Sequence, residues 1–398
     1  MPETREGMYH LFVVFFLFFF IGRPTYFLSI ILLLLLQPSQ ARSAFTEAEF
    51  ERIVTMLEST PNDGKRLFLS AIYRFQLHLG GRIDDTSKVL KSNMKHNTDP
   101  AIDSLRYVII YVCFFLLFIY PASHLLSFLV SLLTQICWSK NVRTEQNIHN
   151  QIMLGAGNVD YCVLLGMASW LEFSLGSGWQ DSSNYLFCYD GLNNHDAIKR
   201  AASSSMAAIL KDNSFLAMLV DGNDDGDQDA VLKGTHSMRK FAAQYARNKG
   251  CSRDAVDVRF RWKNPRMQDR YVQGIVPYED AHVAECLCKG GAISYQVKKE
   301  ANISDEWILE FVVPNIARKY KQKIALVLGH ALFWRCMDPV QSKVLPSTMV
   351  STVRRQVRFF VVVVAVLSSL YHLFCCFDCC LNVDTEFQPP IDWNVYTR

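Results

Sequence analysis

Apolar residues recur at helical spacing along much of the chain, and each such segment predicts an amphipathic helix. Between residues 44 and 100 the pattern predicts two helices, one that opens at Thr46 and one from Lys65 to Leu79. The second helix ends at Gly80-Gly81, because paired glycines interrupt a helix. The polar stretch Asp84–Asp99 then predicts a linker.

Helical periodicity also dominates the second half of the chain. A short β region around His149–Met153 is the exception. The predicted helices are Val159–Leu175, Ala197–Leu210, a helix from Thr235 that stops at Gly250, a short helix from Ser252, Ala281–Cys288, Trp307–Val313 and Ile324–Trp334. The pattern therefore predicts a mainly α fold with a small β element.

The first of three apolar blocks lies near the start of the chain. Its halves, Leu11–Ile21 and Tyr26–Leu36, are each shorter than the roughly 20 residues that span a bilayer. A single span would bury Arg23 near its middle, which is costly. The small residues that follow are compatible with a signal segment. Upstream sequence wrongly included in the translated frame is the competing explanation.

Two further apolar blocks are candidates for membrane insertion. Tyr107–Leu133 carries no formal charge and is the strongest candidate for a transmembrane segment. Its alternative is a buried hairpin hinged at Pro121. Phe359–Leu381 follows three arginines and contains CCFDCC, which predicts an anchor with a cytosolic basic flank and palmitoylated cysteines. Hydropathy alone therefore predicts a membrane protein, with more than one span as an option.

Length and net charge say little about the number of domains or the binding partner. The 398 residues leave room for two or three domains, and 50% of them are hydrophobic. The formal net charge of +3 is too small to indicate a nucleic-acid partner without local clustering.

The sequence predicts neither a metal site nor a cofactor. The 12 cysteines are scattered apart from CCFDCC, which contains C-x-x-C without a second pair, and Cys286 and Cys288 are too close for a typical zinc pair. The acidic loop Asp221–Asp229 resembles the start of a calcium loop, but Leu232 stands where the bidentate glutamate belongs. A reducing compartment is the simplest expectation.

The segment Gly234–Val272 carries the candidate chemistry. His236 and Arg239 form an H-x-x-R pair, which would share one face at the start of a helix, and Trp262 and Tyr271 follow. Arginine can donate two hydrogen bonds to one phosphate, and histidine or indole N–H groups can donate to the same oxygens. A tyrosine phenol attacks phosphorus usefully only when the phosphate is polarised in this way. Basic residues cluster around the tyrosine, as contact with a DNA backbone would require: Arg259, Arg261, Lys263, Arg266 and Arg270.

This order of residues resembles the second half of the active site of the tyrosine recombinases, the phage-integrase-like family. That family has H-x-x-R, then His or Trp, then a nucleophilic Tyr, and the flanking residues here are most similar to recombinase-like genes of eukaryotic mobile elements. The resemblance covers roughly Lys140 to Asp338. It implies cleavage and rejoining of double-stranded DNA through a 3′-phosphotyrosyl link, self-association on DNA, no cofactor, and a nuclear location for an active enzyme.

The resemblance also implies roles for single residues. Tyr271 would attack the phosphate, while Arg239, His236 and Trp262 hold its oxygens. Lys140 would protonate the leaving group, because the family carries its catalytic lysine on a β-hairpin. The family also needs a first arginine near the start of the catalytic domain, and no arginine is assigned to that role, since Arg106 is the only one near the second apolar block.

The combined domain prediction has six parts. They are an apolar signal-like or anchor segment at 1–43, a small helical region and linker at 44–100, an apolar hairpin or transmembrane segment at 105–135, a recombinase-like catalytic domain at 138–345, an apolar Cys-rich anchor candidate at 354–382, and a polar tail at 383–398. Each site residue alone has an ordinary explanation as surface or core. The competing function is therefore a non-enzymatic integral membrane protein that keeps a recombinase-like fold as a binding module.

Overall fold

The computed structural model describes residues 43–97, 131–135, 150–221, 233–261, 276–293, 295, 303–359 and 362–363. Helices dominate this part of the chain, and two small antiparallel sheets accompany them. The prediction of a mainly α fold with a small β element is therefore confirmed at that level.

The helices lie in two stretches of the chain, 47–221 and 235–359. The first group contains α1 (Glu47–Glu58), α2 (Asp63–Leu79), α3 (Ile83–Ser87), α4 (Val163–Gly176), α5 (His195–Ile209) and α6 (Asn213–Asp221). The second group contains α7 (Thr235–Asn248), α8 (Arg253–Phe260), α9 (Val276–Cys286), α10 (Asp305–Trp307) with a π-helical turn at Ile308–Val312, α11 (Pro314–Lys319), α12 (Gln322–Met337) and α13 (347–359). Each helix predicted from periodicity has a counterpart here.

Local signals explain where the first two helices begin and end. The Thr46 hydroxyl accepts a hydrogen bond from the Glu49 N–H at 3.2 Å, and the Glu49 carboxylate accepts one from the Thr46 N–H at 2.7 Å. This reciprocal capping box fixes the start of α1. Asn62 caps α2 by accepting from the Lys65 N–H at 2.7 Å. Gly80 ends α2 with φ at +60°, a left-handed conformation that glycine adopts without steric cost.

A three-stranded antiparallel sheet has the order β1 (Lys95–His96), β2 (Leu132–Thr134) and β3 (Gln151–Met153). The register of β2 and β3 pairs Thr134 with Gln151 and Leu132 with Met153. The last residues of the second apolar block are thus part of a sheet. A second sheet pairs β4 (Gly155–Ala156) with β5 (Ala292–Ile293).

One hydrophobic core joins the regions predicted as separate. It runs from Phe45 to Val353 and centres on α2 and α4, where Tyr73 and Trp170 are fully buried. Residues 44–97 therefore pack into the same core as the described residues between 150 and 353. The stretch Asp84–Asp99, predicted as a linker, contains most of α3, a 3-10 turn and β1.

No helix in the described ranges is long and apolar enough to cross a membrane. The predictions for the first apolar block, for Tyr107–Val130 and for nearly all of Phe359–Leu381 fall outside those ranges. The signal-like segment, the two anchor candidates and the polar tail at 383–398 therefore stay predictions.

A buried carboxylate and its two arginine partners link four helices. Glu58, the last residue of α1, accepts hydrogen bonds from Arg74 of α2 at 2.8 Å and from Arg335 of α12 at 2.7 Å. Arg335 also donates to the Ser169 hydroxyl of α4 at 3.1 Å. Burial alone would raise the pKa of Glu58, but the two guanidinium charges outweigh it and lower this pKa to about 2.

The Glu58 triad predicts a specific loss of stability in acid. A pKa depressed in the folded state gives stability that is complete above the ordinary value of 4.5 and is lost as the pH falls toward about 2. At neutral pH, Glu58→Gln should lower the free energy of unfolding by about 3–5 kcal/mol, because two buried guanidinium groups lose their partner. Urea unfolding at a series of pH values measures both effects.

The matched control is Glu306→Gln, which changes an exposed carboxylate on α10 and should shift the unfolding free energy by less than about 0.5 kcal/mol. Wild type should lose stability more steeply than Glu58→Gln over this acidic window. Equal slopes for the two proteins would contradict the assignment.

Candidate functional site

The H-x-x-R pair lies on the first turn of α7. The helix begins after Gly234, whose N–H donates to the Ser237 hydroxyl at 3.0 Å, so the predicted cap at Thr235 or Ser237 shifts to the glycine. His236 is exposed, whereas Arg239 is only 6% exposed. One member of the pair thus faces solvent and the other points toward the body of the fold.

Arg239 lies in a cluster of positive charge around one carboxylate. Its guanidinium is 3.7 Å from the Asp85 carboxylate and donates to the Phe260 carbonyl oxygen. Burial lowers the pKa of Arg239 to about 10; Asp85 opposes the shift, and the charges of Arg82 and Arg261 add to it. Arg239 therefore remains charged at neutral pH, and Arg82, Arg261 and Asp85 are the charged neighbours that affect its pKa.

Arg82 joins this cluster through the turn between α2 and α3. Its backbone N–H donates to the Asp85 carboxylate at 3.0 Å, and Arg82 is the residue at which α3 is capped. Gln76 donates from the same amide nitrogen to the Gly81 carbonyl at 3.3 Å and to the Thr235 carbonyl at 3.1 Å. The turn that holds Arg82 is therefore attached to the start of α7.

Close packing leaves room only for glycine at this turn. A Cβ atom at Gly80 would lie 2.1 Å from the Phe260 ring, and the positive φ of Gly80 would strain any other residue as well. Because Phe260 also accepts the hydrogen bond from Arg239, the turn, α7 and the end of α8 meet at one place.

Arg82 and Asp85 were not among the site residues predicted from the sequence. No arginine was assigned as the first catalytic arginine, and Arg106, the only one near the second apolar block, lies outside the described residues. The available signal was Gly80-Gly81-Arg82, a helix-ending glycine pair followed at once by an arginine. Its proximity to the H-x-x-R pair depends on packing between helices far apart in the chain.

Arg259, predicted to contact DNA, has a fully buried side chain. Its guanidinium donates to the Asp280 carboxylate at 2.5 Å, to the His78 carbonyl at 2.8 Å and to the Ile152 carbonyl at 2.8 Å. These hydrogen bonds join α8 to α9, α2 and β3. The Arg259 guanidinium therefore bonds protein atoms and does not face solvent. Arg261, at the end of α8, is half-buried.

The first residue of β3 holds the sheet against the same region. The Gln151 amide donates to the Leu79 carbonyl at 3.1 Å and to the Arg259 carbonyl at 2.7 Å. Residues 135–150 connect β2 to β3 and contain Lys140, which itself lies outside the described residues. The connection thus returns to the fold beside the turn that carries Arg82.

The remaining predicted site residues fall between two fixed points. Five predicted site residues lie between Arg261 and Val276, outside the described residues: Trp262, Lys263, Arg266, Arg270 and Tyr271. The Arg259–Asp280 ion pair joins α8, just before this gap, to α9, just after it. The predicted roles of these five residues therefore stay predictions. The described residues on either side of them are held together by the Arg259–Asp280 ion pair.

A second basic surface lies at the edge strand of the three-stranded sheet. A cleft of about 910 Å³ is lined by five lysines, Lys91, Lys95, Lys319, Lys321 and Lys323. Within it, Lys319 pairs with Asp181 at 2.7 Å, and Lys91 donates to the carbonyl groups of Gln180 and Ser183. Such a cleft is suited to contact with a phosphate backbone.

Comparisons of this chain with protein-family models, with curated proteins and with solved structures found no match.

The buried Arg259 predicts a large effect on stability. Arg259→Gln leaves the Asp280 carboxylate buried without its cation, so the free energy of unfolding should fall by about 3–5 kcal/mol. Arg253→Gln changes an arginine of the same helix whose side chain is 83% exposed, and it should cost less than about 0.5 kcal/mol. Urea unfolding of both variants measures the difference, and similar losses would show that Arg259 does not organise this region.

Proposed function

We propose that this chain cleaves and rejoins DNA through a phosphotyrosyl intermediate, with Tyr271 as the nucleophile. The observation that carries the proposal is that Arg82 and Arg239, from two distant parts of the chain, lie near each other where the α2–α3 turn meets the start of α7. They would supply the two arginines that a phosphodiester needs. His236, on the same turn of α7 as Arg239, would supply the histidine.

The charge balance of the cluster suits an anion. The charges of Arg82 and Arg261 lower the pKa of Arg239, and the Asp85 carboxylate raises it. These guanidinium groups would attract a phosphate. Guanidinium groups held in advance bind the growing charge on the phosphate oxygens without reorganisation during the reaction.

The reaction follows from these positions. The phenolic oxygen of Tyr271 forms a bond to phosphorus and releases its proton to solvent, while the bond from phosphorus to the 5′ oxygen breaks. The departing oxygen takes a proton, for which Lys140 is the proposed donor. Arg82, Arg239, His236 and Trp262 donate hydrogen bonds to the phosphate oxygens. Rejoining reverses these steps, so the bond energy stays in the phosphotyrosyl link.

The topology of the sheet supports a role for Lys140. Its segment connects two paired antiparallel strands, and β3 is fastened to Leu79 and Arg259 beside the arginine cluster. The connection that carries Lys140 therefore ends at a strand fastened beside the arginine cluster. The ammonium group of Lys140 is proposed as the proton donor to the leaving oxygen.

The wider basic surface would hold the DNA backbone. Arg261, Lys263, Arg266 and Arg270 lie on the segment that leads to Tyr271 and are proposed to neutralise phosphates. Arg259 is proposed to position α8 and α9, because its donors already bind protein atoms. Self-association on DNA follows from the need to join strands from two duplexes.

A covalent-trapping assay tests the nucleophile. The full-length chain is incubated with a nicked duplex, from which the cleaved 5′ end diffuses away and rejoining is blocked. Wild type should give a protein–DNA adduct that resists denaturation, and Tyr271→Phe should give none, because the phenylalanine lacks the attacking oxygen. Tyr189→Phe, which removes another hydroxyl, should leave the adduct unchanged. A folded chain that binds DNA without an adduct would refute the enzyme and favour a binding module.

A second assay tests Arg82. Replacing Arg82 with Gln should slow adduct formation by about 100-fold, the order of effect expected when one donor to a developing oxyanion is lost. The exposed Arg200 of α5 is the control, and Arg200→Gln should form the adduct at the wild-type rate. Circular dichroism establishes that both variants fold. A normal rate for Arg82→Gln would remove this residue from the site while leaving the Tyr271 test intact.

A further inference from the structure

Three potential metal ligands meet on the side of α9. Cys251 lies after the end of α7, and His282 and Cys286 lie on α9. One ligand atom from each of the three lies within 4.8 Å of those of the other two. The two cysteines are both free thiols, so no disulfide competes for the position.

The backbone holds each ligand in place. His282 and Cys286 are four residues apart on α9, which places their side chains one above the other on the same face. The Cys251 N–H donates to the Ala246 carbonyl at 3.1 Å, and Arg247 donates to the Cys251 carbonyl. Gly250, with φ at +97°, makes the turn that brings Cys251 back toward α9.

The spacing of the ligand atoms is close to that of a tetrahedral zinc site. Zinc bonds of about 2.3 Å to sulfur and about 2.0–2.1 Å to nitrogen place a sulfur and a nitrogen ligand about 3.6 Å apart. Here the Cys286 sulfur is 3.9 Å from His282 Nε2. A small movement of the exposed His282 side chain would therefore bring its nitrogen to the distance that zinc requires.

The two thiols also contact each other. Cys251 and Cys286 share a side-chain hydrogen bond, so their sulfur atoms lie side by side in the cluster.

Access and burial divide the site into a fixed and an open side. Cys251 is buried at 1% exposure, Cys286 is half-buried, and His282 is exposed. A metal ion can therefore enter past His282 and reach the buried sulfur. The Lys249 carbonyl oxygen, 3.6 Å from the Cys286 sulfur, is a further oxygen beside the cluster.

We propose that Cys251, His282 and Cys286 bind one zinc ion, with solvent in the fourth position. The metal would link the loop after α7 to α9 and so hold the ends of these two helices together. Sequence spacing did not indicate this site, because Cys251 is distant in the chain from the other two ligands. The proposal is independent of DNA cleavage and stands whether or not the chain forms a phosphotyrosyl adduct.

Metal titration of the full-length chain tests the site. The protein is purified with a reductant, stripped with a chelator and titrated with Co²⁺, which reports tetrahedral thiolate coordination by visible absorption and a sulfur-to-metal charge-transfer band. We expect one equivalent of Co²⁺ to bind, and one equivalent of Zn²⁺ to displace it. Zn²⁺ should also raise the unfolding temperature of wild type, because it binds the folded state.

Matched variants assign the ligands. His282→Asn and Cys286→Ser should each weaken Co²⁺ binding by at least about 100-fold, the upper end of what loss of an outer-shell partner costs. His282 is exposed, so its variant keeps the fold and separates ligation from stability. Cys288→Ala is the control, because that buried thiol points toward the Ala284 carbonyl at 3.2 Å and is not in the cluster. Its Co²⁺ spectrum should equal that of wild type.

Several outcomes would overturn the proposal. One is the absence of charge-transfer absorption from a folded, reduced chain. Another is an unchanged spectrum in both His282→Asn and Cys286→Ser. A third is a Cys251–Cys286 disulfide, detected by mass spectrometry after alkylation without reduction, that forms in air from the reduced chain as fast with one equivalent of Zn²⁺ as without it.

Discussion

The ion pair between Arg259 and Asp280 is the constraint on which the candidate site depends. It lies where α2, β3, α8 and α9 meet, and its hydrogen bonds satisfy carbonyl groups at the ends of α2 and within β3. The Asp280 carboxylate also accepts from the Ile152 N–H at 2.6 Å. A buried charge without a partner is costly, so these elements are held to one arrangement. That arrangement brings together the turn with Arg82 and the strand that follows Lys140.

The Glu58 triad likewise holds its helices to one arrangement. Arg74 and Arg335 approach one carboxylate from different helices, and Arg74 also donates to the Val159 carbonyl at 3.2 Å. The apolar surfaces of α2 and α4 supply most of the burial but little direction, because hydrophobic contacts tolerate sliding. Buried ion pairs with several hydrogen bonds are directional. The Glu58 triad and the Arg259–Asp280 pair thus fix the orientation of the helices that they join.

The proposed enzyme and the proposed zinc site share one structural feature. In both, residues distant in the chain meet where helices end: Arg82 and Arg239 at one place, Cys251 and Cys286 at the other. Helix ends expose backbone groups and turns, so side chains there can approach a ligand without breaking a helix. The helix α7 takes part in both sites, with its first turn at the arginine cluster and its last turn leading to Cys251.

The sequence by itself predicted most of the longer helices and the approximate positions of their ends, because periodicity, capping residues and glycine stops act over a few neighbouring residues. It did not identify α3, which lies in the predicted linker. It also determined the H-x-x-R pair, since those two residues share one turn. Only the tertiary structure decided that residues 44–97 belong to the same core, that Arg82 lies near Arg239, that the Arg259 side chain is buried, and that Cys251 meets Cys286. These facts depend on long-range packing, in which the cost of burying a charge selects partners that no local pattern identifies.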